Sequence, residues 1–145
     1  MSSIHCSVGI LTFNSASTLR RALESVKSFI EIIICDGGST DGTLEIAKEY
    51  GCKIIFQSAQ FKNPNNRIKD FAGVRNQCLD AASFDWFLYI DSDEVVSPGL
   101  KLEIEQIVAS NTGIYVYNVP LGLWIRGRLM KHSSNYPGYQ NRESN

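Results

Sequence analysis

Apolar residues in this chain fall into short runs separated by polar breaks, and the period of each run predicts an element. Ile4–Phe13 is apolar and β-rich and ends at Asn14-Ser15, as a buried strand does. Leu19, Ala22, Leu23 and Val26 recur at helical spacing behind Ser15 and Ser17, either of which can cap the helix. Glu31–Cys35 holds three consecutive isoleucines. A run so apolar and so short predicts a parallel strand covered on both faces, broken by Gly37-Gly38. Thr43–Tyr50 reads as a helix that starts near Ser39–Asp41 and stops at Gly51, and Lys53–Gln57 as a third strand.

Residues 58–67 are polar and rich in Asn and Pro, which predicts a surface loop. Lys69–Ala82 is helical, with Phe71, Val74, Cys78 and Leu79 on one face. Trp86–Ile90 is a fourth strand, running into Asp91-Ser92-Asp93-Glu94. Pro98 opens a helix carrying Leu102, Ile104, Ile107 and Val108, which ends at Asn111–Gly113; Ile114–Val119 is a fifth strand. After Pro120 the pattern weakens. Strand–helix alternation of this kind predicts an α/β domain: an open, mostly parallel sheet with helices on both faces.

Composition narrows the classes. The chain has 145 residues, 43% apolar and 20% charged, with a formal charge of −1. That fits one globular domain able to bury roughly two-thirds of its unfolded surface, and it argues against disorder and against bulk nucleic-acid binding. The four cysteines, Cys6, Cys35, Cys52 and Cys78, form no CxxC pair, and three lie in apolar runs. They read as buried, reduced thiols of a cytoplasmic protein. No run reaches the ~20 apolar residues of a membrane span, and the N-terminus does not read as a signal peptide. Charge is uneven: Arg126, Arg128, Lys131 and Arg142 face only Glu143 in residues 121–145, a net of +3. This is either a solvated face or a basic surface for an anionic partner.

Ligands of open parallel sheets sit beyond the carboxyl ends of the strands. Those ends carry Thr12, Phe13 and Asn14; then Asp36, Gly37, Gly38 and Ser39; then Asp91, Ser92, Asp93 and Glu94. Residues i and i+2 of a strand share a side, so Asp91 and Asp93 place two carboxylates together. They repel unless solvated or bridged by a cation. A hard Mg2+ or Mn2+ shared with substrate phosphates meets that need; a turn with surface acids is the alternative. Glu94 reads as a solvated or structural partner rather than a ligand. Asp36 either bonds a ribose or base, or makes an Asx turn into Gly37-Gly38. Thr12–Ser17 lacks the G-x-G-x-x-G of dinucleotide sites, and Gly37–Thr43 lacks a P-loop ending. Arg75, with Asn76, either reaches a diphosphate or is a surface charge. Lys62, Arg67 and Lys69 flank the polar loop and could close over an anion as a lid, or stay solvated. His5 reads as structural, and neither His5 nor His132 enters a triad-like order.

Leu11-Thr12-Phe13-Asn14, then Ile34 through Thr43, then Arg75-Asn76, then Asp91-Ser92-Asp93, in that order, resemble family 2 glycosyltransferases of the GT-A fold. The resemblance covers residues 4 to about 110. Asp85-Trp86, Val95 through Pro98, and the tail Leu121 through Arg126 with His132 and Tyr136 through Arg142 are similar to the branch of lipopolysaccharide core glucosyltransferases, with Gly138 where an acid is more usual.

The resemblance implies a single GT-A domain over 1–145, with a nucleotide-binding half over about 1–110 and an acceptor-side half, apparently truncated, over 111–145. It implies a UDP-sugar donor, a saccharide or lipid-linked glycan acceptor, inversion, and a role in cell-envelope polysaccharide or lipopolysaccharide biosynthesis. Thr12 and Asn14 would line the nucleotide pocket and Asp36 would bind the uracil or ribose. Arg75 would lie near the base or diphosphate, Asp91 near the ribose or metal-bound water, and Asp93 would hold the metal. The family's catalytic base lies in the second half of the domain, beyond the metal motif; past residue 110 this chain offers only one carboxylate side chain, Glu143, so the base is left unassigned. Cys35-Asp36-Gly37 also lacks the second acid of the usual Asp-Asp pair. A non-catalytic donor-binding module and a sugar nucleotidyltransferase are the competing classes. The basic tail would face phosphorylated acceptors or lipid headgroups at the inner membrane face.

Overall fold

A computed structural model describes residues 3–110 in full, and the backbone of four strands beyond them, Val116–Leu121, Leu123–Ile125, Arg128–Met130 and Gly138–Glu143. The first 110 residues run β1 (Ile4–Thr12), α1 (Ala16–Val26), β2 (Phe29–Asp36), α2 (Thr43–Glu49), β3 (Lys53–Phe56), a 3-10 turn (Ala59–Phe61), α3 (Phe71–Asp80), β4 (Phe87–Asp91) and α4 (Pro98–Ala109).

Strands β1 to β4 form one parallel sheet in the order β3-β2-β1-β4. Side chains alternate across it. Cys6, Val8, Ile10, Ile32, Ile34, Leu88 and Ile90 join one core with Leu19, Ala22, Leu23 and Val26 of α1 and Ala47 of α2, and Leu100, Ile104 and Val108 of α4 pack against it. Ile33, Cys35, Phe87 and Tyr89 face the other way onto Val74 and Cys78 of α3. The isoleucine run thus feeds both cores in turn, as expected for a strand with helices on both faces. The third strand ends one residue earlier than its apolar run, and the fourth extends to Asp91.

Several local expectations change. Helix α3 starts at Phe71, not Lys69, because the Asp70 side chain caps it by accepting from Gly73 N at 2.9 Å. Phe71 is 55% exposed and leaves the apolar face it was assigned to, as does Leu102 at 57%. Ser15 stands at the N-cap of α1 but makes no capping bond there, and Ser17 lies inside the helix. The fifth strand is Val116–Leu121; it pairs antiparallel with Gly138–Glu143 and adds nothing to the parallel sheet. Leu123–Ile125 pairs with Arg128–Met130 in a further short ribbon. Asn111–Gly113, Arg126, Lys131 and His132 lie outside the described residues.

Candidate donor-binding site

The register sets the site. Leu11 is level with Cys35 on one side and Asp91 on the other, and Thr12 is level with Asp36. The three polar strand ends therefore finish side by side, with β1 in the middle. Beyond them lies a cleft of about 940 Å³, lined among others by Thr12, Asn14, Gln57, Arg75, Asp91 and Asp93. Five of the six residues singled out in the sequence meet there.

Asp36 does not line the cleft. It is fully buried behind Thr12. Its Oδ1 accepts from Thr12 Oγ1 and Ser39 Oγ, both at 2.6 Å. Its Oδ2 accepts from Gly38 N at 2.9 Å and Ser39 N at 2.7 Å. The bond to the second residue on is the Asx turn that the sequence left open. Gly38 sits at φ +95°, a conformation a side chain would strain. Burial pushes the Asp36 carboxyl upward, but the bonds from Ser39, Thr12 and Gly38 outweigh it and hold it below the usual carboxylate range. In this geometry Asp36 shapes the floor of the site.

Asn14 lines the cleft and also pins two loops. It adopts φ +47°, which asparagine tolerates better than most residues. Its Oδ1 accepts from Thr40 N at 2.8 Å and Asp41 N at 3.3 Å, and its own N–H donates to Ser39 Oγ at 2.8 Å. Asp41, expected only near the start of α2, serves the starts of two helices. Its Oδ2 accepts from Ala16 N of α1 at 3.1 Å, and its Oδ1 accepts from the amide and hydroxyl of Thr43 in α2. This replaces the serine cap expected for α1. The signal in the sequence was Asp41 two residues before Thr43, a helix-start pattern whose reach to a second helix is tertiary.

The polar loop is docked onto the site. Lys62 Nζ and Asn66 Nδ2 both donate to Gly37 O at 3.0 Å. One N–H of the Lys62 ammonium is thus given to a carbonyl, which draws the loop onto the site; Arg67 lines the cleft and Lys69 is exposed outside it. Gln57, unremarked in the sequence except as a strand end, lines the cleft beside Phe13. Arg75 reaches the cleft from α3, while Asn76 does not line it. The backbone carbonyl of Arg75 accepts from the Tyr89 hydroxyl, which ties this turn of α3 to the sheet.

On the rim, Glu94 Oε1 accepts from Asp91 N at 2.6 Å and Glu94 N donates to Asp91 O at 3.0 Å. Glu94 therefore closes the turn, as expected of a structural partner. The Asp91 and Asp93 carboxylates are exposed on the cleft, and no described side chain engages them. Two unengaged hard oxygen donors suit Mg2+ or Mn2+. Among the described residues there is no cluster of three or more His, Cys, Asp or Glu that could hold a metal ion.

All four cysteines are free, and Cys6, Cys35 and Cys78 are buried. Burial pushes the Cys6 and Cys78 thiols up to about 12, which keeps them protonated and unreactive. No helix among the described residues is long and apolar enough to cross a membrane.

A parallel sheet with helices on both faces, and a cleft with an acid pair at its carboxyl edge, make an α/β domain, and its likeness to solved structures places the fold in the GT-A class. The chain belongs to glycosyl transferase family 2, whose family model matches residues 7–145. It is 38% identical over 124 residues to an uncharacterised glycosyltransferase of Rickettsia typhi, covering 81% of this chain and 38% of that protein. It is 39% identical over 106 residues to an uncharacterised glycosyltransferase of Rickettsia felis, covering 70% of this chain and 33% of that one. The matched part of the chain thus spans about a third of the length of these relatives. Its fold resembles glucosyl-3-phosphoglycerate synthase of Mycobacterium tuberculosis, crystallised with Mn2+, UDP and glucosyl-3-phosphoglycerate. The TM-score is 0.57 at 23% identity, covering 77% of this chain and 42% of that one.

Proposed function

We propose that this chain is the donor-binding part of a metal-dependent glycosyltransferase. It would use a UDP-sugar and transfer the sugar, with inversion, to a saccharide or lipid-linked glycan of the cell envelope, in the manner of the lipopolysaccharide core branch. The observation that carries the reading is the convergence of Thr12, Asn14, Arg75, Asp91 and Asp93 on one cleft at the carboxyl edge of the sheet. Membership of family 2 and the sequence likeness to two glycosyltransferases support it. The crystallised neighbour with Mn2+ and UDP supports the choice of metal and nucleotide class. Residues 1–110 would form the nucleotide-binding half and 111–145 the acceptor side of a single domain.

Each residue then has a task in binding or orientation. Thr12 and the loop held by Asp36 shape the floor on which the nucleoside rests. Asn14 keeps the β1–α1 and β2–α2 loops in register. Arg75, on the cleft wall, would lie near the base or diphosphate, where its guanidinium could bond two phosphate oxygens. Asp93, with Asp91, would hold Mg2+ or Mn2+, whose charge stabilises the departing nucleoside diphosphate. Titration of the chain with UDP in the presence of Mn2+ tests this. Asp93→Ala should weaken binding by about tenfold or more, a loss of at least ~1.4 kcal/mol. Equal affinity in the variant would sink the metal role.

A further inference from the structure

Gln57 stands where β3 gives way to the polar loop, half-buried and on the cleft wall. Its orientation is set by what it touches. Nε2 donates to Cys35 O at 3.1 Å and to Thr12 O at 3.3 Å. Both partners are carbonyl oxygens, which only accept, so the amide cannot be the other way round. Oε1 is therefore the free end, and no described group donates to it. The amide is held at its nitrogen and presents a fixed acceptor.

That acceptor sits beside an exposed ring. A Cβ placed on Gly37 would lie 3.0 Å from Gln57 Oε1 and 3.3 Å from Phe13 Cδ2. The lack of a side chain at Gly37 thus leaves one small space bounded by an amide oxygen and an aromatic edge. Phe13 is 53% exposed on the cleft, a cost in water that a flat ligand would relieve by stacking. Asp36, which the sequence assigned to the uracil or ribose, is buried behind Thr12 with both oxygens committed.

We propose that Gln57 is the residue that selects the donor's base, its Oε1 accepting a hydrogen bond from the imide N3–H of a uracil lying against Phe13. The inference rests on the nucleotide-donor reading above and adds the group that discriminates. Uracil carries a proton at N3 and cytosine a lone pair, so a fixed acceptor attracts the first and repels the second. A site that hydrogen-bonds an N–H discriminates sharply against an analogue lacking it, because the buried acceptor is left unpaired.

Calorimetric titration of the full chain with UDP and CDP, each with Mn2+, provides the test. UDP should bind about tenfold or more tighter than CDP. Gln57→Leu should weaken UDP by about tenfold and leave CDP within about twofold, collapsing the preference. Parallel weakening of both nucleotides would overturn the proposal, since that is what a merely structural role gives. The unaltered protein offers a second measurement that needs no variant to fold. UDP methylated at N3 should bind as weakly as CDP, and binding equal to that of UDP would overturn the assignment. Tight binding of UDP and CDP alike would overturn this inference and leave the donor reading standing. Failure to bind any nucleotide would overturn both.

Discussion

Asp36 carries four hydrogen bonds on two buried oxygens, and so links three pieces of the site through one side chain. An amide at this position can accept on one atom only, and its NH2 would face donors. Asp36→Asn should therefore destabilise the fold by about 1–3 kcal/mol, read by urea unfolding at pH 7. The pH dependence has a definite sign. The folded-state value lies below the ordinary 3.8, so the carboxylate contributes stability that is present above that value and is lost as pH falls through the folded value. The unaltered protein should lose more stability than the variant between about pH 5 and pH 2, and the gap between their unfolding curves should narrow in acid. A constant gap would assign the effect to packing alone. The sequence marked Asp36 as a residue of consequence. It did not reveal that its partners were Thr12 and Ser39, because those contacts depend on which strand lies beside which.

At the scale of elements, most strands and helices were legible from period alone, since apolar alternation and the 3.6 repeat record which face is covered. The start of α3 shifted because the Asp70 side chain caps it, whereas α1 starts behind Ser15 as expected but its first amide is bonded by Asp41. Phe71 and Leu102 matched helical spacing yet are exposed; Phe71 faces the cleft instead of the core. A close approach between elements is made at Gly9 in the middle of β1. A Cβ there would lie 2.4 Å from Phe87 Cζ and 2.7 Å from Cys78 Sγ. Strand β1 can pack this closely against β4 and α3 only because position 9 has no side chain. Gly9→Ala should cost about 1–3 kcal/mol through overpacking, visible as a lower urea midpoint with an unchanged slope. Nothing in the sequence pattern singled out Gly9, because glycine in a strand records a close approach without naming what approaches.

At the scale of the whole molecule, charge separates. Residues 121–145 carry a net +3 within a chain of net −1. The side chains of this basic segment lie outside the described residues, so its role is argued from charge alone. If it meets anionic headgroups or phosphorylated glycans, the chain should partition onto vesicles containing phosphatidylglycerol at low salt. It should leave them as salt rises from 50 mM to about 500 mM, where screening shortens the Debye length to a few ångströms. Salt-insensitive partitioning in a sedimentation assay would count against this surface.

By itself the sequence determined the class of fold, the strands and helices of the first 110 residues, and the small set of polar strand ends where a ligand belongs. Those follow from local periodicity and from the rule that loops at the carboxyl edge of a parallel sheet carry the chemistry. Only the tertiary structure decided which of those residues face the cleft. Pairing β1 with β2 and β4 in register put Thr12, Asp36 and Asp91 side by side, and then turned Asp36 inward and left Asp91 and Asp93 on the rim. It also brought Gln57, 45 residues along the chain from Thr12, into contact with that residue's carbonyl. Hydrogen-bond saturation and burial are properties of neighbours distant in sequence, so no local pattern carries them.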